Sequence, residues 1–169
     1  MRKPPVAAAA VRLLVLDVDG VLTDGRLYFG PRGEALKVFH VRDGYGMRCL
    51  IAAGVEIAVI SGRCSPAVAA RCRELGITRV WQGADDKLVA FERLLKAARL
   101  SARQCACIGD DLPDVPLFEV VGLAFAVADA PAAVRQAAHQ VTRLAGGRGA
   151  VREVCDRLVL ARRLGRRAK

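Results

Sequence analysis

Apolar residues fall in short unbroken runs, each closed by glycine, proline or acidic residues. Leu13-Leu14-Val15-Leu16 runs straight into Asp17-Val18-Asp19-Gly20. A continuous apolar run bounded by turn residues predicts a strand buried on both faces, as in a parallel sheet. This predicts a first strand over 12–17, and similar runs predict strands over 55–60, 78–82, 106–108 and 123–127, with a short last one from Val141. The intervening stretches predict helices. One opens at Asp43-Gly44 and closes at Gly54, and one runs from Pro66 to Gly76. A third follows Asp85-Asp86-Lys87 with Leu88, Val89, Phe91, Leu94 and Leu95 as its apolar face. Others are predicted over 113–121 and 131–138, and a final one from Gly149 or Ala150. Such alternation predicts an α/β fold, a three-layer Rossmann-like parallel sheet with helices on both faces.

One stretch breaks the alternation. Residues 26–41 read as a β-hairpin turning at Gly30-Pro31-Arg32-Gly33, which should project from the domain. Leu27, Phe29, Leu36, Val38 and Phe39 make it too apolar to stand free in water, so packing against another subunit is expected.

The chain has 169 residues, which predicts one domain, over 11–161. Residues 1–10 read as a frayed start and 162–169 as a basic tail. No apolar run reaches the roughly 18 residues that span a membrane, so no membrane partner is expected. The six cysteines form no Cys-x-x-Cys pair, and neither His40 nor His139 lies near a cysteine pair. Reduced core thiols in a cytoplasmic protein are expected rather than zinc. The net charge of +10 raises nucleic-acid binding. The basic tail brings no aromatic platform on which bases could stack, however, so a solvated end and an anionic small-molecule substrate are the expectation.

The chemistry concentrates at predicted strand ends: Asp17-Val18-Asp19 after the first, Ser61-Gly62-Arg63 after the second, and Gly109-Asp110-Asp111 after the fourth. Ligands of open α/β sheets bind at that edge. Singly, each motif has a plainer reading as an acidic turn, a Ser-Gly turn or a helix cap. In this order they can cleave a phosphate ester. Asp17 can attack phosphorus and form an aspartyl-phosphate. Mg²⁺ held by Asp17, the Asp19 carbonyl and Asp110 would neutralise the converging negative charge. Asp19 can protonate the leaving alcohol and then activate water. Ser61, the Gly62 backbone and Lys87 can bind phosphate oxygens. A phospho-receiver module also combines Asp, Ser and Lys, but places its aspartate after a middle strand.

The segments Asp17-x-Asp19-Gly20-x-x-Thr23, Ser61-Gly62-Arg63, Lys87 and Gly109-Asp110-Asp111-x-x-Asp114 resemble the motifs of the haloacid dehalogenase superfamily of phosphohydrolases. The hairpin, Arg42-Asp43-Gly44-x-Gly46 and the late Gly146-Gly147-Arg148-Gly149 resemble one branch of it, over about residues 11 to 160. That branch implies a homotetramer without a cap domain, which releases phosphate from an eight-carbon sugar acid on the way to lipopolysaccharide. Neither 26–60 nor 64–86 has the ~50 residues of a minimal lid domain. The resemblance further implies Thr23, Arg63 and Arg148 on the substrate side, with Arg148 reaching a neighbouring subunit, and Asp111 and Asp114 as acidic support. A relative acting on a nine-carbon sugar-acid phosphate, or a silent oligomerisation relative, remains the alternative.

Overall fold

The computed structural model describes residues 5–167. Its sheet has six parallel strands in the order β5-β4-β1-β6-β7-β8. The central strand β1 (Leu13–Leu16) lies between β4 (Glu56–Ser61) and β6 (Cys105–Gly109). β5 (Arg79–Gln82) flanks β4, and β7 (Leu123–Ala126) and β8 (Gln140–Val141) continue beyond β6. Every residue of β1, β6 and β7 is buried, which explains their unbroken apolar runs.

The helices are α1 (Val41–Ala52), α2 (Pro66–Glu74), α3 (Lys87–Ala98), α4 (Val115–Val120), α5 (Ala132–Ala137) and α6 (Ala150–Arg167). α1 packs along α6, while α4 touches both α3 and α5. The chain runs outward from β1 to β5, then crosses back to β6 and runs outward the other way. Right-handed crossovers therefore place the two helix groups on opposite faces.

The apolar pattern locates the sheet to within a residue or two, and the departures have physical causes. α1 begins at Val41, two residues before Asp43. The Asp43 carboxylate is 1 % exposed and accepts a 2.7 Å hydrogen bond from the Arg152 backbone N–H. It thus caps the first turn of α6 from across the helix pair. The hairpin comprises only β2 (Tyr28–Gly30) and β3 (Gly33–Leu36), antiparallel with a register shift at Tyr28/Phe29. It carries the exposed side chains of Leu27, Phe29, Leu36 and Val38.

Both ends of the chain are more engaged than expected. The Val6 N–H donates to the Gly122 carbonyl at 2.8 Å, and a 3₁₀ turn at Ala8–Ala10 packs on α6. At the other end α6 continues through the expected basic tail. Arg162 donates to the carbonyls of Ala53 and Val11, each at 3.1 Å. The rest of the expected frayed start (1–4) and of the basic tail (168–169) lies outside the described residues. No described helix is long and apolar enough to cross a membrane. All six cysteines are free thiols, and four of them are buried.

Candidate active site

β4, β1 and β6 are neighbours, so Ser61, Asp17 and Asp110 emerge side by side at the C-terminal edge of the sheet. They open into a cavity of about 510 Å³ whose lining includes Asp17, Asp19, Gly62, Arg63, Lys87 and Asp110. Crossovers leave the sheet in opposite directions from this central strand, which opens a crevice there.

The floor is a buried charge cluster. Lys87 Nζ lies 2.9 Å from Asp17 Oδ1 and 2.7 Å from Asp114 Oδ1. Lys87 is the first residue of α3, whose N-cap, Asp86, accepts from the N–H groups of Leu88 and Val89. The cap fixes the helix start and with it the lysine. Asp114 Oδ2 accepts from the backbone N–H groups of Asp110 (3.0 Å) and Asp111 (3.3 Å), so both Asp114 oxygens are engaged. Asp111 is exposed, and its carboxylate caps the following turn through the Leu112 N–H at 2.8 Å. Of the two expected acidic supports, Asp114 therefore braces the cluster, while Asp111 shapes the loop.

Carboxylate oxygens of Asp17, Asp110 and Asp114 lie within 4.8 Å of one another. Burial first, then the charge of Asp114, pushes the Asp17 carboxyl up to about 6 against the pull of Lys87. Burial and the facing charge of Asp17 push Asp110 up to about 8. Burial works against the charged form of Lys87, but Asp17 and Asp114 outweigh it and hold the ammonium protonated. With Asp114 committed to Lys87 and the backbone, Asp17 and Asp110 are the carboxylates left to face a cation. A pair of hard oxygen ligands with room for water suits Mg²⁺. A Cβ at Gly20, where φ is +87°, would collide with the Asp110 carboxylate, so glycine is needed for the loop to pass.

Ser61 is 2 % exposed, and its Oγ accepts from the Arg63 N–H at 3.3 Å. Thr23, expected on the substrate side, is 2 % exposed and absent from the cavity lining. Its hydroxyl accepts from the Gly25 N–H (3.2 Å) and donates to the Val18 carbonyl (3.4 Å). Thr23 braces the aspartate loop instead. Arg148 is not in this cavity either. It lies 3.3 Å from Asp24 and lines a second, wider cavity with His40, Arg42 and Arg152. The glycines around it are tied to the aspartate loop and to Asp129. Gly147 N–H donates to the Val21 carbonyl at 2.9 Å, and Gly146 N–H to Asp129 at 3.0 Å. A Cβ at either glycine would strike the backbone of the aspartate loop.

Two residues without any local sequence signal complete the site. Lys37, just after β3, bonds Asp19 and lies 3.1 Å from Glu34. Glu34 in turn lies 3.1 Å from Arg63.

A profile of haloacid dehalogenase-like hydrolases matches residues 74–153. The chain is 54 % identical over 154 residues to 3-deoxy-D-manno-octulosonate 8-phosphate phosphatase KdsC of Escherichia coli K12, covering 91 % of this chain and 82 % of that protein. The chain belongs to the 3-deoxy-D-manno-octulosonate 8-phosphate phosphatase family. A crystal structure of the Yersinia pestis phosphatase superposes with a TM-score of 0.91 at 52 % identity, over 93 % of this chain and 85 % of that one. The Moraxella catarrhalis phosphatase, in complex with magnesium, phosphate and KDO, superposes with a TM-score of 0.90 at 39 % identity, over 93 % and 90 % of the two chains. Both solved phosphatases thus share the overall fold described above.

Proposed function

We propose that this protein hydrolyses 3-deoxy-D-manno-octulosonate 8-phosphate to the free sugar acid and phosphate, in lipopolysaccharide precursor synthesis. It is a Mg²⁺-dependent phosphatase. The observation that carries the reading is the buried Asp17–Lys87–Asp114 chain beside Asp110, a nucleophile and a metal seat in one cluster. Mg²⁺, held by Asp17, Asp110 and the Asp19 carbonyl, would offset the negative charge that gathers during attack. Asp17 attacks phosphorus as the ester oxygen departs with a proton from Asp19. Water then attacks the aspartyl-phosphate, giving its proton to Asp19 and freeing Asp17. Lys87, Ser61 and the Gly62 backbone hold the phosphoryl oxygens. Arg63, 44 % exposed at the rim, faces the sugar-acid end.

The exposed Leu27, Phe29, Leu36 and Val38 support a homotetramer joined through the hairpins, and the six free thiols suit a cytoplasmic protein. Sedimentation at micromolar concentration is expected to give four subunits, and a monomer would remove the idea. Arg148, on the outer wall of the aspartate loop, reaches the substrate of a neighbouring subunit in that assembly. The function is tested by phosphate release from a panel of phosphorylated sugar acids, with the eight-carbon ester expected to be the best substrate. Preference for a nonulosonate 9-phosphate would move the substrate assignment. In the same assay Arg148→Ala is expected to cost about tenfold or more on the sugar-acid phosphate, the scale of a lost charged hydrogen bond. Para-nitrophenyl phosphate has no carboxylate and should lose little. Equal losses would assign Arg148 to the fold.

A further inference from the structure

Lys37 is 2 % exposed in its side chain, although it leaves a hairpin whose Leu36 and Val38 are half exposed. An ammonium is costly to bury unless it is paired. This one sits between two carboxylates. It bonds Asp19 Oδ1 and lies 3.1 Å from Glu34 Oε2. Arg63 closes the ring, with one terminal nitrogen 3.1 Å from the same Glu34 oxygen and Nε 3.8 Å from Asp19 Oδ2. The four charges alternate around a closed circuit that joins the hairpin to the aspartate loop and to the end of β4. Within it the two oxygens of Asp19 are not equivalent. Oδ1 is held by Lys37, whereas the Arg63 nitrogen near Oδ2 is beyond hydrogen-bond reach.

We propose that Lys37 is the positioning residue of the acid–base step: it pins one oxygen of Asp19 so that the other is aimed at the leaving group, and Glu34 holds Lys37 in place. The proposal rests on the reading of Asp19 as acid and base. Lys37 is no party to the proton transfers. In the first half-reaction the bond from Asp17 to phosphorus forms as the ester P–O bond breaks, and the proton passes from Asp19 to the departing oxygen. In the second, a water oxygen bonds to phosphorus as the Asp17–phosphorus bond breaks, and the water proton passes to Asp19. Both transfers need the same oxygen in the same place, and a displacement of about 1 Å can cost about a hundredfold.

The test uses leaving groups that differ in their need for a proton. The parameter kcat/KM covers only the steps up to release of the alcohol. An alkoxide must be protonated as it leaves, while para-nitrophenolate need not be. Lys37→Met is therefore expected to lower kcat/KM about a hundredfold on the sugar-acid phosphate and on simple alkyl phosphates. The loss on para-nitrophenyl phosphate should stay under about threefold, with Lys37→Arg recovering part of the alkyl activity. Glu34→Gln leaves the ammonium but loosens it, and is expected to give a smaller loss with the same leaving-group dependence, even if Lys37→Met fails to fold. A uniform loss across leaving groups in either variant, or a loss confined to KM, overturns the proposal. A wild-type enzyme without metal-dependent phosphatase activity on any ester would overturn the functional reading itself.

Discussion

Asp17→Asn is expected to lower kcat by about a thousandfold or more while leaving the protein folded, the scale on which removal of a covalent nucleophile acts. An amide has nearly the shape of a carboxylate but cannot attack phosphorus. The fold should survive for a reason specific to this site. Asp17 is buried against Asp110 and Asp114, and burial and like charge push its carboxyl up to about 6. Asparagine removes one buried negative charge from a crowded cluster, and Lys87 keeps Asp114 as its partner at 2.7 Å. The thermal midpoint should hold or rise. Turnover of the sugar-acid phosphate and a melting curve check both halves of the expectation. A variant that keeps a tenth of wild-type turnover would rule out the covalent route.

Removal of divalent ions is expected to abolish turnover, and Mg²⁺ to restore it. Carboxylate oxygens of Asp17 and Asp110 lie within 4.8 Å of each other, and both groups are pushed up by burial and by neighbouring carboxylates. A small divalent cation between them replaces repulsion with attraction on both sides. The same argument predicts a stability effect. Binding to the folded state alone stabilises it by about 2.7 kcal/mol at a concentration 100 times Kd. For a chain of this size that is a rise in thermal midpoint of the order of 5–10 °C. Ca²⁺ should raise the midpoint too but support turnover poorly, because its longer and looser coordination misplaces the nucleophile. Asp110→Asn should lose most of both effects. Full activity in excess chelator would disprove the metal requirement, and an unchanged midpoint with Mg²⁺ would place the ion elsewhere.

What the sequence by itself determined is local. Leu13-Leu14-Val15-Leu16 can only be a strand buried on both faces, and Asp17 and Asp19 must then leave it at the edge where the next loops gather. Pro66, Asp86 and Pro131 mark helix starts because capping and proline geometry are decided within one turn of chain. For the same reason Asp17, Asp19, Ser61, Lys87 and Asp110 could be named as one cavity before any coordinates: each follows a strand or opens a helix. What only the tertiary structure decided is how side chains far apart in the chain divide the work. Asp43 looks like the start of its own helix, yet it caps α6 across 109 residues of chain. Gly146 and Gly147 have no reason in their own stretch of chain to be glycines, yet they must be small because the aspartate loop lies against them. Thr23 sits inside the catalytic motif but spends its hydroxyl on the loop backbone. Lys37 gives no local signal, and its partner Asp19 is 18 positions away on a different element. Hydrophobic period and capping act over a few residues and can be read along the chain. Charge pairing and close backbone approach act through space, and only the packed sheet brings those partners together.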